Sequence, residues 1–182
     1  ILDLALASGL TTSTSIRFPT MARAPDAFGG EARLVSLKTT DQRYPLRGNL
    51  RVADGTTEAL LTTDRAVSGG PPVGQAWADA SLLESLNITV GDSILLGTTE
   101  LKMTQVITLE SDRGGGFMSF SPRLMINAQD IESTGLVQPA SRVNYSFSVA
   151  GEADAVRQFT DSVQALIDKS SNGEAPADMA AR

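Results

Sequence analysis

The stretch DASLLESLNITVGDSILLGTTELKMTQVITL, residues 79–109, decides the fold. Asp79 stands where its carboxylate can accept from the free N–H groups of a first helical turn, and Leu82, Leu83 and Leu86 follow at helical spacing. The pattern predicts a short apolar helix. Gly91-Asp92 reads as a tight turn, Ile94 to Leu96 as a strand, and Gly97 as a hairpin tip. Beyond it, Leu101, Met103, Gln105, Ile107 and Leu109 alternate with Lys102, Thr104, Val106 and Thr108, and a period of two predicts a half-buried strand. Helix, turn and hairpin together form the centre of a small β-rich unit that carries no obvious catalytic group.

Upstream, Ile1 to Ser8 reads as the end of a helix stopped by Gly9. Thr11 to Met21 and Ala32 to Thr39 are β-branched and apolar enough for two strands that pair back on each other, with Pro19 restricting pairing on one edge. Pro45 breaks the pattern, Leu50 and Val52 resume it, Asp54-Gly55 marks a turn, and Thr57 to Thr63 suits a further strand. Ser68-Gly69-Gly70-Pro71-Pro72 reads as a loop with no packing of its own. Trp77, the single Trp, suits a core or interface position.

Downstream, three consecutive glycines at 114–116 lack the Lys-Ser/Thr ending and the following helix of a phosphate loop, so a hairpin tip is the simpler reading. Pro122 to Ile126 is a buried strand, and Asn127 caps a short helix that ends near Gly135. Gln138-Pro139 makes a turn. Val143, Tyr145, Phe147 and Val149 alternate with Asn144, Ser146 and Ser148 in a clear strand pattern closed by Gly151. In Glu152 to Lys169, Val156, Phe159, Val163, Leu166 and Ile167 keep helical spacing, which predicts an amphipathic helix packed on the preceding strand. Residues 170–182 are small and polar and read as a flexible tail.

The whole chain has 182 residues, a hydrophobic fraction of 41% and a formal charge of −6. That acidity, without any run of Lys or Arg, argues against binding to nucleic acid or an anionic membrane surface. The chain has neither His nor Cys, which removes Cys/His zinc sites, histidine-based triads, thiol nucleophiles and disulfides. No cofactor or metal motif is present. No apolar run approaches the roughly 20 residues needed to cross a bilayer. A start at Ile1, in the middle of a helix, suggests an excised domain with flanking segments removed.

Taken in order, Tyr44-Pro45-Leu46-Arg47-Gly48, Ala76-Trp77-Ala78-Asp79 with Leu82-Leu83, and Leu86-Asn87-Ile88-Thr89-Val90-Gly91-Asp92 resemble one family. Glu110-Ser111-Asp112-Arg113, Pro122-Arg123-Leu124-Met125-Ile126, and Thr134-Gly135-Leu136-Val137-Gln138-Pro139 with Ser141-Arg142-Val143 continue the match, which covers roughly residues 9–151. The family is the extracytoplasmic domain of FtsX-like, MacB-like ABC transporter permeases, in particular the YbbP branch. The resemblance implies an α+β, MacB-like periplasmic core domain: a porter-like lobe, residues 1–40 and 122–169, with a β-rich lobe, residues 41–121, inserted in it. It also implies a periplasmic position in an inner-membrane protein, with residues 170–182 leading to a membrane helix. The implied partners are a separate cytoplasmic ATPase, a second permease subunit in a dimer, and a periplasmic thioesterase/lysophospholipase.

The leading functional expectation is a noncatalytic module that couples ATP-driven motion to export or extraction of a lipid-like or hydrophobic substrate and docks a periplasmic partner. Candidate partner contacts are Arg113, Phe117 and Phe120 on the glycine-rich loop, where Arg and aromatics favour interfaces, and Tyr44, Leu46 and Arg47 as a second patch. The bland alternatives are phenylalanines covering their own hairpin and a Pro45 that only shapes a turn; Arg142 suits a strand-end surface charge. One other class is a carboxylate-dependent enzyme using Glu110 with Asp112, or Asp41 near Arg43. Another is a small-molecule-binding module with its pocket between two lobes.

Overall fold

The computed structural model describes residues 1–56, 58–113, 121–138 and 141–171, with nine strands and four helices in an α+β arrangement. The elements are α1 (Leu2–Ala7), β1 (Thr11–Arg23), β2 (Ala32–Thr40), β3 (Leu50–Ala53), α2 (Glu58–Thr62), β4 (Arg65–Val67) and β5 (Gln75–Asp79). There follow α3 (Ala80–Leu86), β6 (Ser93–Leu96), β7 (Thr99–Glu110), β8 (Arg123–Asn127), β9 (Asn144–Ala150) and α4 (Ala153–Ser171). Compactness divides them into two units, Ile1–Thr12 with Ser148–Arg182, and Ser13–Phe147.

The larger unit is built on a ring of strands. Neighbours run β4-β3-β7-β5-β8-β2-β1-β6, and β6 pairs back onto β7, so that β7, β5, β8, β2, β1 and β6 close on themselves. Pairing is parallel for β2 with β8 and for β5 with β7, and antiparallel for the remaining pairs of the ring. Closure removes sheet edges and gives the ring an inside. Val35, Leu37, Ala76, Ala78, Ile94, Leu96, Leu101, Met103, Leu124 and Ile126 fill it, together with Leu82, Leu83 and Leu86 of α3. The small side chains of Ala76 and Ala78 leave room there for the leucines.

β7 ties the ring to a second layer. Its extra residues, Thr104 opposite Ala76/Trp77 and Thr108 opposite Arg51/Val52, are β-bulges that switch which side chains face inward. Strict alternation from Leu101 to Leu109 is therefore overturned: Val106 joins the inner core, Ile107 the outer cluster, and Leu109 is exposed. The far half of β7 carries β3 and β4, whose Leu50, Val52 and Val67 pack with Trp77, Ile107, Met125 and Tyr44 on the outer face of the ring.

Three local expectations are also corrected. Thr57 lies outside the described residues, and Glu58–Thr62 form α2 in place of the expected strand because Glu58-Ala59-Leu60-Leu61 are good helix formers, and Thr63 N–H donates to the Ala59 carbonyl at 3.0 Å. The Ser68–Pro72 loop is packed: Gly69, Gly70 and Pro71 are buried, and the Asn127 side chain donates to the Pro71 carbonyl at 2.9 Å. Asp79 does sit at the N-terminus of α3, yet it makes no capping bond, since other donors take its carboxylate. Pro19 is carried within β1 opposite Ser36, and β6 reaches only Ala22 and Arg23, so the missing proline N–H takes nothing from the β1–β6 ladder.

In the smaller unit, α1 ends at Ala7 and the chain turns at Gly9 with φ +68°. Val156, Phe159 and Val163 of α4 pack with Val149, Leu10, Ala5 and Leu4, which gives the expected strand-and-helix pair. Leu166 and Ile167 are exposed. Ser170 belongs to α4, which replaces the expected start of the tail, and residues 172–182 lie outside the described residues.

Candidate functional site

Both faces of β2 are covered. Val35 and Leu37 point into the ring, so the alternate residues Ser36, Lys38 and Thr40 face the outer layer, where they too are buried. β8 repeats the pattern: Leu124 and Ile126 point inward, and Arg123 stands in register beside Ser36. The ends of β2, β7 and β8 thus bring Lys38, Glu110 and Arg123 together with almost no access to water.

Glu110 is the hub. Its Oε1 accepts from Lys38 Nζ at 2.9 Å and from the Tyr44 hydroxyl at 3.3 Å, and its Oε2 accepts from Arg123 Nε at 2.8 Å. Lys38 Nζ also donates to both oxygens of Asp112, at 2.9 Å each, and lies 4.0 Å from the centre of the Tyr44 ring. The one hydroxyl proton of Tyr44 is shared with Asp112, the nearer of its two acceptors, and the Tyr44 oxygen accepts from Lys38 Nζ at 2.8 Å. Arg123 spends its other nitrogens on Ser36 Oγ at 2.6 Å and on the Arg113 carbonyl at 3.0 Å. Arg113 in turn holds Asp79 with two parallel bonds, and Asp79 Oδ2 accepts from the Arg123 backbone N–H at 2.8 Å.

The cluster is neutral: Lys38, Arg113 and Arg123 balance Asp79, Glu110 and Asp112. Burial pushes the Tyr44 phenol far above its ordinary 10.0, and the neighbouring carboxylates, which accept its proton and repel a phenolate, push the same way. Burial acts to raise Asp112 too, but the bond from Tyr44 and the Lys38 ammonium outweigh it and hold the carboxyl below its ordinary 3.8. Asp79 beside Arg113 keeps that guanidinium charged.

Chemically, this arrangement fastens. Every carboxylate oxygen of Glu110 is engaged by a buried donor, so proton transfer to a substrate would first require the cluster to open. What it joins are three ring strands, Tyr44 from the β2–β3 connection, the residues that follow β7, and the β5–α3 junction.

The predicted contact residues divide accordingly. Tyr44 is buried in the cluster rather than displayed, because its hydroxyl meets the Lys38 and Asp112 charges and its ring meets Leu50 and Trp77. Leu46 is half-buried and Arg47 exposed. Arg113 is partly exposed while bound to Asp79, and Phe117 and Phe120 lie outside the described residues. Asp41 accepts from Ser13 Oγ, the Thr14 N–H and the Arg43 N–H, which makes it a turn anchor. Lys38, Ser36 and Arg123 escaped the sequence reading. The signal for Lys38 and Arg123 was charge within a strand pattern, and Ser36 left none.

A second feature is an open, largely apolar groove of about 600 Å³, lined by Pro19, Met21, Arg23, Leu34, Leu95 and Leu136. Met21 and Leu34 are cross-strand partners and both are about half exposed, at 51% and 47%.

Among known proteins, no family model matches the chain. Over 150 residues, 82% of its length, it is 31% identical to the uncharacterized ABC transporter permease YbbP of Escherichia coli (strain K12). The chain is similar to one region of a YbbP-like permease. It spans 17% of the length of YbbP. Among solved structures, the periplasmic region of MacB from Actinobacillus actinomycetemcomitans aligns with a TM-score of 0.49 and 14% identity, over 86% of this chain and 66% of that one. No helix among the described residues of this YbbP-like domain is long and apolar enough to cross a membrane.

Proposed function

We propose that this YbbP-like domain is a noncatalytic, periplasmic part of an inner-membrane ABC transporter permease. It passes motion driven by a separate cytoplasmic ATPase to a surface outside the membrane, for export or extraction of a lipid-like or hydrophobic substrate. The observation that carries this reading is the match to a permease over 82% of the chain. The closed ring and its charge cluster support it physically, since force passes through an element that does not deform. The apolar groove beside β1 and β2 supports a hydrophobic substrate. The lobe scheme, residues 1–40 with 122–169 against 41–121, belongs to the same proposal. Within the larger unit, β8, β2 and β1 are consecutive neighbours and so are β4, β3, β7 and β5. A second permease subunit, and a thioesterase/lysophospholipase docked through Leu46, Arg47, Arg113, Phe117 and Phe120, complete the reading.

The test is a pulldown from membranes with the full permease, intact and with residues 9–151 deleted. The proposal expects loss of coupling between ATP hydrolysis and transport, and loss of the thioesterase, in the deleted form. Unchanged coupling and recovery would refute it. The carboxylate-enzyme alternative requires activity in the isolated domain that Glu110→Gln abolishes without unfolding it.

A further inference from the structure

Sulfur is unevenly placed in this chain. There is no cysteine, and of the five methionines Met21, Met103 and Met125 lie among the described residues. Met103 is buried in the core of the ring and Met125 in the outer cluster, both without any access to water, whereas Met21 is 51% exposed. A peroxide oxidises a thioether where solvent reaches it, so among the described residues Met21 is the sulfur open to attack.

Its position gives that exposure a consequence. Met21 stands on the wall of the groove, opposite Leu34 across the β1–β2 pair and close to Pro19, Leu95 and Leu136. Those neighbours are hydrocarbon, and of the side chains that line the groove Met21 alone carries a readily oxidised atom. Alternation along β1 turns Ala22 into the core and leaves Met21 on the outer side, so an oxygen added there breaks no core contact. It changes the groove wall instead. A flexible apolar thioether becomes a polar, chiral sulfoxide, and an aliphatic ligand would then have to strip water from the sulfoxide oxygen without offering it a hydrogen bond.

We propose that Met21 is an oxidation site that turns the groove away from aliphatic ligands. A peroxide transfers one oxygen to the sulfur lone pair as its O–O bond breaks; sulfur is oxidised by two electrons, and with hydrogen peroxide the other oxygen leaves with both hydrogens as water. Methionine sulfoxide reductases, one for each sulfoxide epimer, reverse the change. The proposal rests on the reading of the groove as a site for a hydrophobic ligand, and the experiment separates the two. The 182-residue chain is titrated with dansyl-labelled undecanoate before and after hydrogen peroxide, and the oxidised positions are read by peptide mass spectrometry. Expected are sulfoxide at Met21 ahead of Met103 and Met125, about tenfold weaker binding after oxidation, and recovery with both reductases. Met21→Gln should weaken binding to a similar degree without peroxide, and Met21→Leu should bind as the parent does and ignore peroxide. No binding to the untreated parent overturns the groove reading and the proposal together. Binding that survives complete oxidation of Met21, or that peroxide weakens equally in Met21→Leu, overturns the proposal alone.

Discussion

Lys38→Met tests whether the buried charges hold the larger unit together. The side chain is 1% exposed and its ammonium meets Glu110, Asp112 and Tyr44, so a methionine of similar shape removes the charge with little change in packing. The neutral cluster is then left one negative charge in excess. Removing one partner of a buried pair costs about 3–5 kcal/mol. Here Glu110 keeps Arg123, and Asp112, whose side chain is 51% exposed, regains water, so the loss falls near the lower end, about 3 kcal/mol. At roughly 2–4 °C per kcal/mol this is a fall of about 6–12 °C in midpoint. Urea unfolding followed by Trp77 fluorescence reads it, since Trp77 is the single Trp and packs beside Tyr44 in the outer cluster. Lys38→Met/Asp112→Asn restores neutrality and should be less destabilised than the two single changes summed, by about 1 kcal/mol. A Lys38→Met protein within about 0.5 kcal/mol of the parent would refute the reasoning.

Further outcomes follow from single positions. Because the Asp112 carboxyl lies below its ordinary 3.8, its contribution is present above that value and lost as pH falls through the depressed one; acid titrations of the parent and Asp112→Asn should therefore converge at low pH. The Tyr44 phenol is shifted upward, so its contribution is complete below 10.0 and declines above it, and its ionisation, read by ultraviolet absorbance, should appear only as the protein unfolds. Gly97→Ala puts a methyl 2.0 Å from the Thr134 carbonyl at φ +58° and should cost about 3 kcal/mol in urea unfolding. Gly70→Ala places one 1.8 Å from Thr40 Oγ1 and should cost about 1–3 kcal/mol.

Local patterning carried much of the architecture. The Leu82-Leu83-Leu86 helix, the Gly97 hairpin, the β1–β2 pair, the all-buried β8 and the α4 stripe follow from spacing and caps, because each is decided by residues near in sequence. The ring was not legible: it depends on parallel pairing of β2 with β8 and of β5 with β7, and neither leaves a local trace. Nor were the two bulges of β7, since an inserted Thr looks like any outward residue until the partner strand is known. The charge cluster was half visible. Glu110 and Asp112 stood out as neighbouring acids, whereas Lys38 drew no attention, because covering its second face takes Tyr44 and the residues after β7, which are far away in sequence. Tyr44 was noticed for the wrong reason, as a displayed aromatic.

The ring closes unevenly. Where β1 meets β2 the contact runs for seven residue pairs, but β1 meets β6 through two, Ala22 with Leu96 and Arg23 with Leu95. A hoop parts most readily at its shortest zip, which makes this join the expected first place for the larger unit to open. The groove runs beside it, with Met21, Arg23, Leu95 and Gly97 on its walls. A greasy guest seated there acts as a wedge or a glue on that join, and whatever tightens or slackens the hoop changes its grip on the guest in equal measure.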